Sequence, residues 1–423
     1  MKVFKFGGAS VKDANGVKNI AEIIKLYQNE GLVIVVSAMG KTTNALEEVV
    51  QHYFNGREQW KSKLDEIRND HLQILNNLFP NNQHIVYEEV EHTFYQLRLI
   101  CQTQAESDYN LVYDRIVSYG EIISTRIVSA YLSDVGIDNV WLDARKLIKT
   151  DQNYRFARVN WNFTEILLRQ AIRNPSGRYV LQGFIGSDDN YHATTLGREG
   201  SDYTAAIAAY CLSADSVTIW KDVPGVLNGD PKVFDNTVLL QKISFSEAIE
   251  LAYYGASVIH PKTIQPLKQK GIPLMVRSFL DPSMPGTTIQ NGSPLLPMVP
   301  CFIQKPNQAL LSISTTDLAF IVEEHLSQIY ATFHRYGIRV NLAQNSATSS
   351  TFSINHDPVN VPLLLEALKK NFLITYQEGA VLYTVRHYTP EVLDDFLRGR
   401  NPAIRQTTPS ICQIVEIKSN QVT

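Results

Sequence analysis

Residues 1–36 read MKVFKFGGASVKDANGVKNIAEIIKLYQNEGLVIVV, and the order of patterns within them decides the fold. Val3 to Phe6 is a short strand that runs into Gly7-Gly8. Val17, Ile20, Ala21 and Ile24 then fall at the i, i+3, i+4, i+7 spacing of an amphipathic helix, which ends near Gly31. Leu32 to Val36 is apolar at every position and reads as a buried strand. Strand, glycine turn, helix and buried strand open a doubly wound α/β sheet, whose ligands bind beyond the carboxyl ends of the strands.

Outward from this opening, residues 45 to 110 read as largely helical and display no recognisable chemistry. The α/β rhythm returns after Ser118. Tyr179 to Phe184 reads as a strand ending at Gly183, and Ser216 to Trp220 as one leading into the turn Asp222-Val223-Pro224-Gly225. Ser244 and Glu247 form an S-x-x-E capping box before a helix that stops at Gly255. Pro and Gly accumulate between Asp281 and Pro306, which marks a domain boundary. Beyond it the order βαββαβ predicts a small ferredoxin-like unit, and a second pass from Ala380 has no room for a second helix. The expected organisation is a catalytic α/β domain over 1–295, a ferredoxin-like unit over 306–379 and a partial second unit over 380–423.

A chain of 423 residues is long enough for two or three domains. Its 44% hydrophobic and 19% charged content describe an ordinary globular protein. A formal net charge of -3 gives no reason to expect nucleic acid, so a site for an anion must be locally basic. Cys101, Cys211, Cys301 and Cys412 have neither metal-ligand nor CxxC spacing and read as separate thiols in a reducing compartment. The longest apolar run, Leu32 to Val36, is too short to span a bilayer, and Met1 to Gly8 lacks a signal-peptide core. A cytoplasmic protein without membrane partners is expected.

Five segments carry chemistry. In Lys5-Phe6-Gly7-Gly8-Ala9-Ser10, paired glycines at a strand end let backbone N–H groups approach phosphate oxygens, and the following helix adds its dipole. Lys5 can neutralise charge on a transferring phosphoryl group; a glycine turn beside a solvated lysine is the simpler alternative. Thr194 to Asp202 concentrates hydroxyls, Arg198 and Asp202 before an apolar helix, with Arg198 suited to a carboxylate and Asp202 to an ammonium. Ser201 or Asp202 is also expected to cap that helix. Lys221-Asp222 at a strand end, with Lys232 downstream, suits a polyphosphate. Ser37 to Asn44 is another strand-to-helix turn, and Gly120-Glu121 is the fifth segment. No Ser/His/Asp set or metal cluster stands out. A carboxylate acceptor is already ionised at neutral pH, so its phosphorylation needs positioning and charge neutralisation but no general base.

Together the five segments resemble the aspartate kinases of the amino-acid kinase family over nearly the whole chain. The likeness rests on KFGG-x-SV, Ser37, Thr43-Asn44, Gly120-Glu121, Gly183-Phe184-Ile185-Gly186, TTLGR-x-GSDYTA, Asp222-x-x-Gly225, Asp230-Pro231, His260-Pro261 and Pro285-Gly286-Thr287. The resemblance implies a three-layer αβα fold with a mostly parallel sheet, followed by regulatory ACT units. It implies that Lys5 stabilises the transferring phosphoryl group while Gly7, Gly8 and Ser10 line the phosphates. Arg198 would grip the α-carboxylate of L-aspartate, Glu121 and Asp202 would face its amine, and Ser37, Thr43 and Ser201 would complete the pocket. Lys221, Asp222 and Lys232 would lie against ATP, and Mg²⁺ would arrive on the ATP phosphates, with no protein metal cage. A homodimer and an amino-acid effector at the ACT region are implied as well. A kinase for another acidic amino acid and a catalytically silent ACT sensor are the alternatives.

The sequence departs from the commoner family pattern at Ala9, usually threonine, and Glu199, often glycine. Leu227 stands where tyrosine is common, and Ser257 where a nucleotide-contacting lysine is frequent. Glu324 and His325 stand where lysine-inhibited relatives carry small or apolar residues, which argues against feedback by lysine.

Overall fold

The opening segment folds in the order its pattern predicts, although its helix stops at Lys25 and not near Gly31, in the computed structural model, which describes residues 1–81, 83–103, 107–256, 259–317 and 319–417. Lys2–Phe6 is strand β1, Ala14–Lys25 helix α1 and Leu32–Val36 strand β2. β1 and β2 run parallel, paired from Lys2 and Leu32 to Phe6 and Val36. The helical stretch follows as α2 (Thr42–Phe54), α3 (Trp60–Leu78), α4 (Val86–Gln102) and α5 (Tyr109–Asp134). Next come β3 (Val140–Leu142), α6 (Ala144–Leu147), α7 (Trp161–Ala171), β4 (Arg178–Gln182), β5 (Ile185–Ser187) and β6 (Ala193–Thr195). Then follow α8 (Gly200–Leu212), β7 (Ser216–Lys221), β8 (Lys242–Ser244), α9 (Phe245–Tyr254), α10 (Pro261–Lys270), β9 (Leu274–Ser278) and β10 (Thr287–Gln290). The expected cap of α9 forms, with Ser244 Oγ accepting the Glu247 N–H at 3.0 Å.

Eight strands make one sheet in the order β3-β4-β2-β1-β7-β9-β10-β8. It is parallel from β3 to β9, and the direction reverses at β10. Side-chain alternation sets its two faces. Phe4, Phe6, Ile34 and Val36 join one apolar core with the buried residues of α1 to α5. Val3 and Lys5 therefore point to the opposite face, where α8 packs beside α7 and α10. Tyr203 to Ala209 are all buried, as a helix covered on nearly every side must be. Three αβα layers result, as the resemblance implied.

The chain forms two compact units, and they do not follow its linear order. The first comprises Met1–Val226, Leu239–Ile249 and Ile259–Leu295; the second comprises Leu227–Val238, Glu250–Val258 and Leu296–Thr423. The second unit contains β11 (Cys301–Thr315), α11 (Glu323–Arg335), β12 (Val340–Asn345), β13 (Ser349–Asn355), α12 (Asn360–Leu368) and β14 (Phe372–Arg386). After these come α13 (Pro390–Leu397), β15 (Ile404–Thr407) and β16 (Ile411–Ile417). Its antiparallel sheet has the order β12-β13-β11-β14-β16-β15.

The first four strands of that order, joined by α11 and α12, are the βαββαβ arrangement read from the sequence. Ile329, Phe333, Val361, Leu364 and Leu368 cover Leu311, Ile313, Phe352 and Ile354. The shorter second pass completes its sheet with Cys301 to Lys305, which pair with Leu382 to Arg386. Those five residues precede the first ferredoxin-like unit in sequence. Pro306, which has no N–H to donate, marks the register shift between Lys305 and Gln308 inside β11. Residues 227–238 supply Phe234, whose ring lies 5.6 Å from that of Phe302. Among the described residues, no helix is long and apolar enough to cross a membrane.

Candidate active site

Lys5 reaches the site because alternation along β1 turns it toward α8. Its Nζ lies 2.6 Å from Asp202 Oδ1, and Lys221 Nζ, at the end of β7, lies 3.9 Å from Oδ2. The Asp202 side chain is only 3% exposed, so a carboxylate there requires compensating cations. Ser37 follows the last residue of β2, and Phe184 lies two residues beyond the end of β4, so the site gathers at the carboxyl ends of parallel strands.

The expectation that Ser201 or Asp202 caps α8 is corrected. Glu199 is the N-cap residue, in the left-handed region at φ +55 and ψ +30, with no side-chain capping bond. Both expected caps lie inside the first turn, where the negative charge of Asp202 is favoured by the helix dipole. Close approach explains two glycines nearby. A Cβ on Gly183 would stand 2.5 Å from Ser201 Oγ, and one on Gly200 would stand 2.5 Å from the Phe184 ring.

Glu121 comes from α5. Gly120 lets that helix approach the turn after β2, since a Cβ there would lie 3.1 Å from the Ala38 Cβ. Ser124 Oγ donates to the Ser37 carbonyl at 2.7 Å, and the Ala38 N–H reaches Glu121 Oε1 at 3.4 Å. Oε2 is buried with no partner among the described residues. Burial pushes the Glu121 carboxyl up to about 8, so it is a neutral acid at pH 7 until a cation approaches.

Ser37, Thr43, Glu121, Arg198, Ser201, Lys5, Asp202 and Lys221 share one cavity of about 490 Å³. Arg198 is exposed on its wall. Gly7, Gly8 and Ser10 belong to the turn after β1 and are not wall residues of this cavity. The Ser10 N–H donates to the Gly7 carbonyl at 2.9 Å, and a Cβ on Gly7 would lie 3.3 Å from Lys5 Nζ. The helix dipole expected behind this turn stands further off. A 3-10 turn over Gly8–Val11 intervenes, and α1 begins at Ala14, capped by Asp13, whose Oδ1 accepts the Gly16 N–H at 2.8 Å. Asp222 is exposed and lies outside the cavity wall. Lys232 belongs to the second unit, its N–H bonded to Asp230 Oδ1 at 2.9 Å, and Leu227 also lies there. Ser257 lies outside the described residues. Among the described residues no cluster of three His, Cys, Asp or Glu could hold a metal ion.

Tyr113, Arg155 and Phe156, which no sequence motif singled out, also line the cavity, as do Phe184 and Thr195, which lie in the motifs without an assigned role. Arg155 carries no local signal, because its place depends on a distant partner. That partner, Asp114, is a carboxylate within a stretch of α5 that is buried on nearly every side.

The model of the "Amino acid kinase family" matches residues 1–278. Lysine-sensitive aspartokinase 3 of Escherichia coli is 34% identical over 358 residues, covering 84% of this chain and 78% of that relative. Aspartokinase 1, chloroplastic, of Arabidopsis thaliana is 31% identical over 84% of this chain, which spans 63% of that relative's length. Crystal structures of Escherichia coli aspartokinase III, with lysine and aspartate and with aspartate and ADP, superpose with TM-scores of 0.82 and 0.81 at 28% identity. Each comparison covers 99% of this chain and 96% of the other. The chain belongs to the amino acid kinase family and, within it, to the aspartokinases.

Proposed function

We propose that this enzyme transfers the γ-phosphoryl group of MgATP to the β-carboxylate of L-aspartate, giving 4-phospho-L-aspartate and ADP, the first step towards lysine, threonine and methionine. The observation that carries this reading is the Lys5–Asp202–Lys221 cluster in one cavity with Arg198 and with Glu121, whose Oε2 is buried with no partner among the described residues. A β-carboxylate oxygen attacks the γ-phosphorus, and the bond from phosphorus to the bridging oxygen breaks with its electron pair passing to ADP. The nucleophile is already ionised and has no proton to remove.

Lys5 faces the charge that develops on the transferring group, and Asp202 holds its ammonium in place. Lys221 and the Gly7-Gly8-Ser10 turn receive the polyphosphate. Arg198 takes the α-carboxylate through its two-pronged guanidinium, and Glu121 accepts the ammonium. Ser37, Thr43 and Ser201 close the acceptor pocket. Mg²⁺ enters with the nucleotide as part of the substrate. An amino-acid effector bound at the ACT-like unit, a homodimer and a cytoplasmic setting complete the proposal.

With MgATP and hydroxylamine, L-aspartate is expected to yield a trappable acyl phosphate. Product from glutamate or N-acetylglutamate, with none from aspartate, would overturn the acceptor assignment. A second expectation concerns Glu121. The unfolded chain releases this proton near pH 4.5 and the ligand-free folded chain near 8, so folding is progressively penalised as pH rises between those values. Glu121→Gln should therefore raise Tm at pH 7 by the equivalent of roughly 3 kcal/mol. The same variant should raise KM for aspartate about 10-fold or more, because a neutral amide cannot pair the ammonium. A Tm that is unchanged or lower would contradict the burial argument, whereas an unmoved KM would contradict the ammonium contact.

A further inference from the structure

Asp114 sits on α5 with its side chain fully buried, yet it is not a wall residue of the cavity. Three donors converge on it from two segments. The Arg155 N–H reaches Oδ2 at 2.9 Å and the Thr195 N–H reaches the same oxygen at 2.7 Å. The Thr195 hydroxyl donates to Oδ1, also at 2.7 Å. One carboxylate therefore holds both the 151–158 segment and the start of the loop that carries Arg198, two walls of the same cavity.

The backbone at Arg155 has φ +68, in the left-handed region that a residue with a side chain enters only when its surroundings impose it. Asp114 supplies part of that constraint. The Arg155 guanidinium then lies 4.3 Å from the centre of the Tyr113 ring and 3.8 Å from Glu47 Oε1, half-exposed on the wall. A guanidinium laid on an aromatic face, on a backbone whose N–H is held by a buried carboxylate, is pre-organised for an anion.

We infer that Asp114 is a positioning residue for the acceptor: it sets Arg155 as a second guanidinium that, with Arg198, binds the carboxylates of the acidic amino acid. This rests on the reading that the acceptor occupies this cavity. Arg155 touches the substrate, and Asp114 acts through the Arg155 N–H, with Thr195 holding the Asp114 carboxylate in place. The consequence is selectivity for an acidic acceptor over its amide, since asparagine offers the Arg155 guanidinium no second carboxylate.

The test titrates L-aspartate against the full-length enzyme at saturating MgATP, reading kcat and both KM values. Arg155→Gln should raise KM for aspartate about 10- to 100-fold, the range for one lost hydrogen bond to a charged group, with KM for ATP unmoved. Asp114→Asn, nearly isosteric, should shift the same constant in the same direction. Asp114→Asn combined with Arg155→Gln should bind aspartate no more weakly than Arg155→Gln alone, because both changes remove one interaction. Thr195→Val removes the hydroxyl donor while leaving Asp114 and both amides, and provides the reading should Asp114→Asn fail to fold; it too should raise KM for aspartate alone. A generally structural role would move both KM values together and make the two changes additive, which would overturn the inference. An unmoved KM for aspartate in Arg155→Gln would overturn it as well. Failure of the wild-type enzyme to use aspartate would sink the acceptor assignment and this inference together. Wild-type turnover with an unmoved KM sinks the inference alone.

Discussion

Replacing Lys5 by Met is expected to lower kcat about 10³-fold, and the loss should persist after the fold has been stabilised again. The two effects are separable because Lys5 has two neighbours of different kinds. In the resting protein its ammonium lies 2.6 Å from Asp202, in a pair whose side chains are only 11% and 3% exposed. Removing the lysine leaves a buried carboxylate with Lys221, 3.9 Å away, as its remaining cation. An abandoned partner in a buried pair costs about 3–5 kcal/mol, and the residual Lys221 contact places this case toward the lower end. Lys5→Met should thus lower Tm as well as kcat.

Adding Asp202→Asn removes the abandoned charge, so the double variant should recover most of the lost Tm. It should recover none of the activity, because the Lys5 ammonium that faces the transferring phosphoryl group is still absent. Thermal unfolding combined with single-turnover phosphoryl transfer measures both quantities. Recovery of turnover in the double variant would show that Lys5 serves only to neutralise Asp202.

Gly8→Ala is expected to lower kcat/KM on the order of 10²-fold through geometry alone. A Cβ on Gly8 would lie 2.8 Å from two backbone carbonyl oxygens, those of Ala38 and Gly40. Neither is the tip of a flexible side chain, so the two turns must separate. They are also tied by the Gly40 N–H donating to the Gly8 carbonyl at 3.0 Å. Overpacking of this kind costs about 1–3 kcal/mol, and the displacement is delivered to Lys5 on one side and Ser37 on the other. Gly7→Ala is the contrasting variant. Gly7 has extended backbone at φ -81 and ψ 169, and its Cβ would meet only the end of the Lys5 side chain, at 3.3 Å. That variant should fold with normal stability. A Gly8→Ala enzyme with wild-type kcat/KM would mean that the two turns slide past each other freely.

Much of the architecture was legible because it depends on local patterns. The apolar run Leu32 to Val36, the four-residue stripe of α1 and the Ser244–Glu247 cap each state their structure within a few residues, and each formed. The site was legible where a motif concentrated unusual residue types, as in Thr194 to Asp202. The start of α8 was read less well. Ser201 and Asp202 have the composition of caps, but left-handed backbone at Gly197 and Glu199 carries the chain past the capping geometry before either is reached. The pass through residues 380–423 likewise takes a strand from 301–305, which no count along the chain beyond Ala380 can find.

The sequence by itself determined the strand-turn-helix opening, the chemistry of Lys5, Arg198 and Asp202, and the βαββαβ order of the tail. Period and residue type are local properties, and they survive in a one-dimensional string. Only the tertiary structure decided which groups meet. It placed Asp202 against Lys5 and Lys221, buried Glu121 deeply enough to hold a proton, and put Arg155 and Thr195 on the single carboxylate of Asp114. Those outcomes depend on burial and on distances between residues far apart in the chain. They exist only once the sheet has brought the ends of its strands together.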